Sequence, residues 1–398
     1  MLEGYVSAEE ACRLLSVSKA TVYSYVSRGK LRSQGVPGSK ERKYWLPDIA
    51  SLTKGEKKTN PLAGSSAAES SITLITDSGH FYRGKSALQL ADEATLEDVA
   101  GILWDVDPAS NFGNSPETAP PLFHKLCTLL NEQSDVDRAT AVFPLLEQAN
   151  MRSYDLSRLG MARTGAKVLR WLTAIILRRS ETSQLPIHET FAESLNLDSG
   201  LSDLVRRILV LSADHAFEPG TLAVRAVAST GVTPWRAVLT GLSVSSGRQS
   251  RSRHSGETAR FVQQILSSDH PAADVVRRLR DGETLPGFSS PAYTEGDPRG
   301  EALLKICAQI FSNDTEFKRL DAALAAVRDI TGQRPGFALA NMFAGHKLGL
   351  ARSYAPFVVG RACGWIAHAI EQLQFGEIER GSPSYKGPLP QPATGRMD

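Results

Sequence analysis

The chain has 398 residues, 41% of them hydrophobic and 22% charged. That is enough for an ordinary core in about two or three domains, with no need of disulfides or a structural metal. Lysine and arginine (45) nearly balance aspartate and glutamate (43), so no global field selects a partner. No run approaches the roughly 18 apolar residues of a membrane-spanning helix. The opening MLEGYVSAEE lacks the basic and apolar regions of a secretion signal. Cys12, Cys127, Cys307 and Cys363 show no CxxC and no Cys/His metal spacing. The expectations are a cytoplasmic location, reduced thiols, no metal and no membrane partner.

The near-neutral total hides an uneven distribution. Residues 1–58 carry eleven Lys/Arg against six Asp/Glu, a local excess of +5. Such an excess fits nucleic-acid binding, although small domains also carry spare lysines. Over residues 6–28 the pattern predicts two short helices. Ser7 can cap the first, with Glu10 three positions on, and Ala11, Leu14 and Leu15 form its apolar face. Ser18 can cap the second, in which Val22, Tyr25 and Val26 recur at i, i+3, i+4. That leaves Lys19, Thr21, Tyr23, Ser24 and Arg28 facing outward. A short polar, basic helix after a tight turn suits a major groove. In the next segment, LRSQGVPGSKERKYWLPDI, Gly and Pro sit at a tip flanked by Arg32, Lys40, Arg42 and Lys43. It reads as a β-hairpin whose cations meet phosphates and whose Tyr44 and Leu46 return to the core. Residues 5–53 thus resemble the winged helix-turn-helix of the MerR and excisionase families, which implies DNA as partner. The competing reading is a small helical protein-interaction module. One such module neutralises few phosphates, so useful affinity calls for two copies held together.

Residues 54–71, KGEKKTNPLAGSSAAESS, have no apolar period and read as a linker. Beyond it apolar residues recur mostly at helical spacing, as in Val136–Leu146, Leu204–Ala213 and Phe357–Ile378, with a strand signal at Ile72–Thr76. The expected division is a DNA-binding unit over 1–53, a linker over 54–71, a mainly α domain over 72–388 and a tail over 389–398.

Five segments of the large domain carry more. They are SITLITDSGHFYRGKSALQLADEATLEDVAGIL, LVLSADHAFEPGTLAVRAVASTGVTPWRAVLTGL, SRHSGETA, LPGF with DPRG, and GRACGWIAHAIEQ, followed by YKGP. In order and spacing they resemble the citrate synthase family. The resemblance implies an almost all-α fold of a large and a small domain, paired in a homodimer that would also pair the DNA-binding modules. It implies no bound cofactor, with acetyl-CoA or another acyl-CoA as substrate or ligand and oxaloacetate or citrate in the same site.

The implied chemistry takes a proton from a weakly acidic methyl group, stabilises an enol and polarises a ketone, while arginines hold carboxylates. By this resemblance His254 contacts the enol oxygen, as the catalytic residue, although Ser255 stands where the family has glycine. His215 contacts the oxo acid, and Arg299 and Arg361 hold carboxylates. Three further positions depart from the family. Ser290 stands where the ketone-polarising histidine belongs. Gly336, in RPGFALA, is closest to the place of the base aspartate, and no Asp or Glu lies between Ile330 and Glu371. Ser382 stands at the third arginine, with Arg380 nearby. A lost base costs about 10²–10⁴-fold and a lost polarising donor about 10²–10³-fold. Bland readings stand beside these: His346, His368 and the stripe around Trp365 as structural, Asp214 as a loop-orienting group, and Arg251 and Arg253 as a basic patch. Three functions remain open. The first is a DNA-binding regulator whose body senses a carboxylic acid or acyl-CoA. The second is an active citrate or 2-methylcitrate synthase with an accessory domain. The third is a dimeric scaffold.

Overall fold

The computed structural model describes residues 5–36, 39, 41–53, 69–76, 79–112, 117, 119–247, 251–288, 292–293, 296–350 and 355–376, without the side chains of 47, 50, 51, 53, 110 and 251–255. The first unit runs β1 (Tyr5–Val6), α1 (Ala8–Leu15), α2 (Lys19–Ser27), β2 (Ser33–Gly35), β3 (Arg42–Trp45) and α3 (Leu46–Thr53). Ser7 accepts the Glu10 amide at 3.1 Å, so the first cap forms as the sequence implies. The Glu10 carboxylate turns instead to Arg13. Ser18 accepts the Thr21 amide at 3.3 Å and starts α2. Ala11, Val22, Leu31, Tyr44 and Ile49 are buried together as the core. The hairpin forms with Gln34 opposite Lys43. A strand the sequence reading lacked, β1, joins its other edge by pairing Val6 with Tyr44. Two residues differ from expectation: Leu14, expected on the apolar face of α1, is 39% exposed, and Leu46 opens α3 with 40% of its surface exposed while Ile49, one turn on, fills the core instead.

The body opens with a small antiparallel sheet, β4 (Thr73–Thr76), β5 (Gly79–Tyr82) and β6 (Lys85–Ser86), with Thr73 opposite Tyr82. Helices follow almost without interruption: α4 (Ala87–Glu93), α5 (Leu96–Trp104), α6 (Ala109–Phe112), α7 (Pro121–Leu129), α8 (Asp135–Ala149), α9 (Arg158–Ile176), α10 (Ile187–Leu195) and α11 (Ser199–Ser212). Then come α12 (Pro219–Ala228), α13 (Pro234–Ser245), α14 (Arg251–Ser267), α15 (Pro271–Arg280), α16 (Pro298–Ile310), α17 (Thr315–Thr331), α18 (Phe337–Lys347) and α19 (Ala355–Phe375). The apolar runs expected as helices fall in α8, α11 and α19; Ile378 lies outside the described residues.

Helix α19 positions the site. It is buried along most of its length rather than on one stripe, as a helix enclosed by others must be, and it packs on α5, α9, α11, α12 and α13. Trp365, 2% exposed, is core as expected. Gly364 lets α19 approach the end of α11: a Cβ there would lie 2.3 Å from the Ala213 carbonyl oxygen and 2.4 Å from Asp214 Oδ1. Among the described residues, no helix is long and apolar enough to cross a membrane.

Candidate functional site

On the N-terminal unit, Lys19, Tyr23 and Arg28 are exposed on and just after α2, with Tyr23 half uncovered, while Thr21 and Ser24 are half-buried. Lys19 lies 3.5 Å from Glu9, a loose surface contact. Arg42 is exposed and Lys43 half-buried on β3; Lys40 lies outside the described residues. Arg32, expected to flank the tip as a phosphate contact, grips Asp48. Its Nη2 and Nε donate to the two carboxylate oxygens at 2.8 and 3.0 Å. The pair ties the hairpin to α3 and leaves the Arg32 side chain 70% exposed.

In the body, three of the four expected ligand residues meet at the end of α11. After Ser212 the chain turns through residues 213–218 into α12. Asp214 Oδ2 accepts the Ala216 amide at 3.0 Å, which fixes Ala216 in the left-handed region at φ 50°. His215, 5% exposed, stands on this turn. Its ring stacks on His80 at 5.6 Å and meets Tyr293 edge-on at 5.9 Å. His80 Nε2 lies 2.9 Å from the Asp214 carbonyl oxygen, which can only accept, so that nitrogen carries the proton. Nδ1 then accepts the Tyr293 hydroxyl at 2.9 Å. Burial, with Arg299 nearby, pushes the His80 pKa well below the usual imidazole range. It is neutral.

Arg299 lies in the first turn of α16, whose cap is Asp297. The guanidinium donates from Nε and Nη2 to both Asp297 oxygens, at 3.0 and 2.8 Å, and lies 4.8 Å over the Phe337 ring. Despite its burial, the Asp297 charge raises the pKa of Arg299 further. Arg361, from α19, donates Nε to the Ser212 carbonyl at 3.0 Å and brings Nη1 within 3.2 Å of Glu218 Oε1. Both arginines are almost fully buried, and each faces a carboxylate of the chain itself. Ser212 gives its hydroxyl back to the Ile208 carbonyl at 2.6 Å.

His254 falls in the first turn of α14, but its side chain lies outside the described residues, as do those of Arg251 and Arg253 and the whole of Ser290, Arg380 and Ser382. Gly336 is described. Its amide donates to the Gly287 carbonyl at 2.7 Å, and it caps α18 with no side chain to do so. Its backbone lies against Gly300, the neighbour of Arg299: a Cβ on Gly300 would meet the Gly336 carbonyl carbon at 2.6 Å. Gly336 therefore sits beside the arginine's helix.

Behind the turn runs a buried polar chain. His368 Nε2 donates to Asp214 Oδ2 at 3.2 Å, and Arg225 Nη1 lies 3.2 Å from His368 Nδ1. Arg225 Nη1 also donates to Glu371 Oε2 at 2.7 Å. Glu371 Oε1 accepts the Ser71 amide and hydroxyl, each at 2.8 Å, and Arg225 Nη2 donates to the Glu69 carbonyl at 2.9 Å. Burial alone would raise the Asp214 pKa; His368 and Arg361 reverse that and hold it far below the carboxylate range. Asp214 orients the loop, in line with expectation, and His368 braces it. His346, half-buried beside Glu316 at 3.1 Å, is likewise a structural partner. The sequence reading missed His80, Glu218, Arg225 and Glu371 as members of this network. A signal was available only for Asp297, which stands two residues before Arg299. Among the described residues no group of three His, Cys, Asp or Glu could hold a metal ion.

A mainly helical body in which two arginines and a histidine converge on the end of one helix, preceded by a helix-turn-helix, defines the class. The fold is that of the citrate synthases: the Pyrobaculum aerophilum enzyme aligns with a TM-score of 0.70 at 18% identity, covering 92% of this chain and 97% of that one. A Thermoplasma acidophilum citrate synthase, solved as a ternary complex with carboxymethyl coenzyme A and oxaloacetate, aligns with a TM-score of 0.66 at 17% identity over 82% of this chain and 96% of its own. In sequence the chain is 26% identical over 367 residues to 2-methylcitrate synthase of Shewanella oneidensis, spanning 83% of this chain and 95% of that protein. The family model of the citrate synthase C-terminal domain matches residues 61–382, and a helix-turn-helix domain model matches residues 5–46. The chain belongs to the citrate synthase family and carries an N-terminal helix-turn-helix domain.

Proposed function

We propose that the protein is a homodimeric, metabolite-responsive DNA-binding regulator whose citrate-synthase-like body binds a small carboxylic acid or an acyl-CoA without efficient turnover. Residues 1–53 form the DNA-binding unit, 54–71 the connection and 72–388 the ligand-binding body. Lys19, Thr21, Tyr23, Ser24 and Arg28 read the groove while Lys40, Arg42 and Lys43 meet phosphates. His215, Arg299 and Arg361 contact the acid and His254 the acyl group. The observation that carries this reading is Gly336. It stands closest to the family's base, beside the Arg299 helix, and offers a backbone amide but no carboxylate.

A ligand that binds one arrangement of the body better than another shifts the dimer toward it and changes the spacing of the two DNA units. The test is DNA affinity of the full chain with and without oxaloacetate, citrate and acetyl-CoA. At least one should change it about 5-fold or more, within the ordinary range of allosteric coupling. No change with any of them, with none raising the melting temperature, would leave the scaffold reading.

The second reading, an active citrate or 2-methylcitrate synthase, draws support from the relative in Shewanella oneidensis, which is named a 2-methylcitrate synthase. It requires a base other than residue 336.

A further inference from the structure

The turn that presents His215 also delivers a carboxylate. Glu218 occupies the N-cap of α12, just ahead of Pro219, and makes no capping bond. It points to Arg361, Oε1 lying 3.2 Å from Nη1, with the arginine 2% and the glutamate side chain 13% exposed. Backbone geometry brings it there. Asp214 holds Ala216 in its left-handed conformation, and the Glu218 amide donates back to the Ala216 carbonyl at 3.0 Å. The other candidate arginine has its own carboxylate in Asp297, which is fixed by caps and bonds to Arg299 on both oxygens. The two candidate carboxylate-binding arginines are therefore each matched by one anion of the chain.

We propose that Glu218 is a specificity-determining residue: it stands in for one ligand carboxylate on Arg361 and turns the site toward acids carrying a single carboxylate, against di- and tricarboxylates. This rests on the ligand-binding reading of His215, Arg299 and Arg361. The physics is repulsion used for selection. A second carboxylate brought to Arg361 meets a like charge in a poorly hydrated place, or must displace it, whereas a monoanion can use His215 and the remaining donors. Glu218 is the movable member of the two counter-anions, because it makes one ion pair and no cap.

The test is calorimetric titration of the full-length chain with pyruvate, oxaloacetate and citrate, in wild type and in Glu218→Gln. The amide keeps the size and a polar oxygen near Arg361 while removing the charge. Wild type should bind pyruvate more tightly than oxaloacetate. Glu218→Gln should strengthen oxaloacetate and citrate at least 10-fold and leave pyruvate within about 3-fold. Melting temperatures and circular dichroism of both proteins show whether the variant folds; if it does not, the wild-type ratio of pyruvate to oxaloacetate decides alone. Oxaloacetate bound as tightly as pyruvate by wild type, with no gain in the variant, overturns the selection and leaves the ligand site standing. No binding of any acid by either protein overturns the ligand-binding reading, and this inference with it.

Discussion

His368 Nε2 lies 3.2 Å from Asp214 Oδ2, with both residues fully buried and 154 positions apart in the chain. The contact joins α19 to the turn that carries His215. It continues through Arg225 and Glu371 to Ser71, at the start of the body. A fully buried guanidinium needs its counter-charge. Glu371→Gln leaves Arg225 without one and should cost about 3–5 kcal/mol, read by denaturant unfolding. The double variant Arg225→Met/Glu371→Met should recover a large part of that loss, since replacing both charges by apolar groups avoids the stranded one. A single variant as stable as wild type would show that the chain carries no such coupling.

Acid should destabilise the body before the carboxylates begin to titrate. His80 is neutral when folded because burial and Arg299 depress its pKa, and it takes up a proton on unfolding below about 6.5. The unfolded state then binds more protons, so stability falls as pH falls, by about 1.4 kcal/mol per pH unit for one group. His188, depressed in the same direction mainly by burial, adds to the slope. The stability that Asp214 contributes is present above the ordinary carboxylate range and is lost only at more acid pH, because its folded pKa lies below its unfolded one. Denaturant unfolding between pH 7.5 and 5 should therefore show a decline that His80→Gln reduces by about one proton. An unchanged slope in the variant would place the titrating group elsewhere.

Local signals were the legible ones. Ser7 and Ser18 announce their helices because an N-cap acts three residues away, and the apolar periods of α8, α11 and α19 follow from burial of the helices themselves. The motif residues His215, Arg299 and Arg361 could be named, and they do converge on the end of α11. What they face was not legible. Glu218 reaches Arg361, and His80 reaches Asp214 and Tyr293, across separations of more than 130 residues that only the packing of α11 against α19 and β5 brings together. Nor was the partner of Arg32 legible: Asp48, sixteen positions on, pairs with it, a contact that the sign of the residue alone does not announce.

On the helix-turn-helix domain the cations should separate by partner. Lys19→Ala and Arg28→Ala each remove an exposed charge and should lower the slope of log affinity against log salt by about one. Arg32→Ala breaks a pair with Asp48 and should leave that slope unchanged, with a stability cost of about 1 kcal/mol or less. Salt titrations of the three variants on one duplex distinguish these outcomes, and an equal slope change for Arg32→Ala would return it to the phosphate face.

The approach of α19 to α11 leaves no room at Gly364. Gly364→Ala places a methyl group 2.3 Å from the Ala213 carbonyl oxygen and 2.4 Å from Asp214 Oδ1. Overpacking of this kind costs about 1–3 kcal/mol. Because the displaced loop carries His215, acid binding should weaken with it, which calorimetry of a folded variant checks. A variant that loses stability yet binds as wild type would separate the loop from the site.

CoA release from acetyl-CoA and propionyl-CoA with oxaloacetate, in wild type and in Gly336→Asp, tests catalytic silence directly. The variant is built on a backbone that an L residue can adopt, φ −83° and ψ 167°, although its Cβ would come 3.0 Å from the Gly287 carbonyl oxygen. Wild type should release CoA no faster than a control without enzyme, while its melting temperature still rises with a carboxylic acid or an acyl-CoA. Wild-type turnover on the order of 1 s⁻¹ or more, the ordinary range of enzymes, would contradict the regulator reading and require a base other than residue 336.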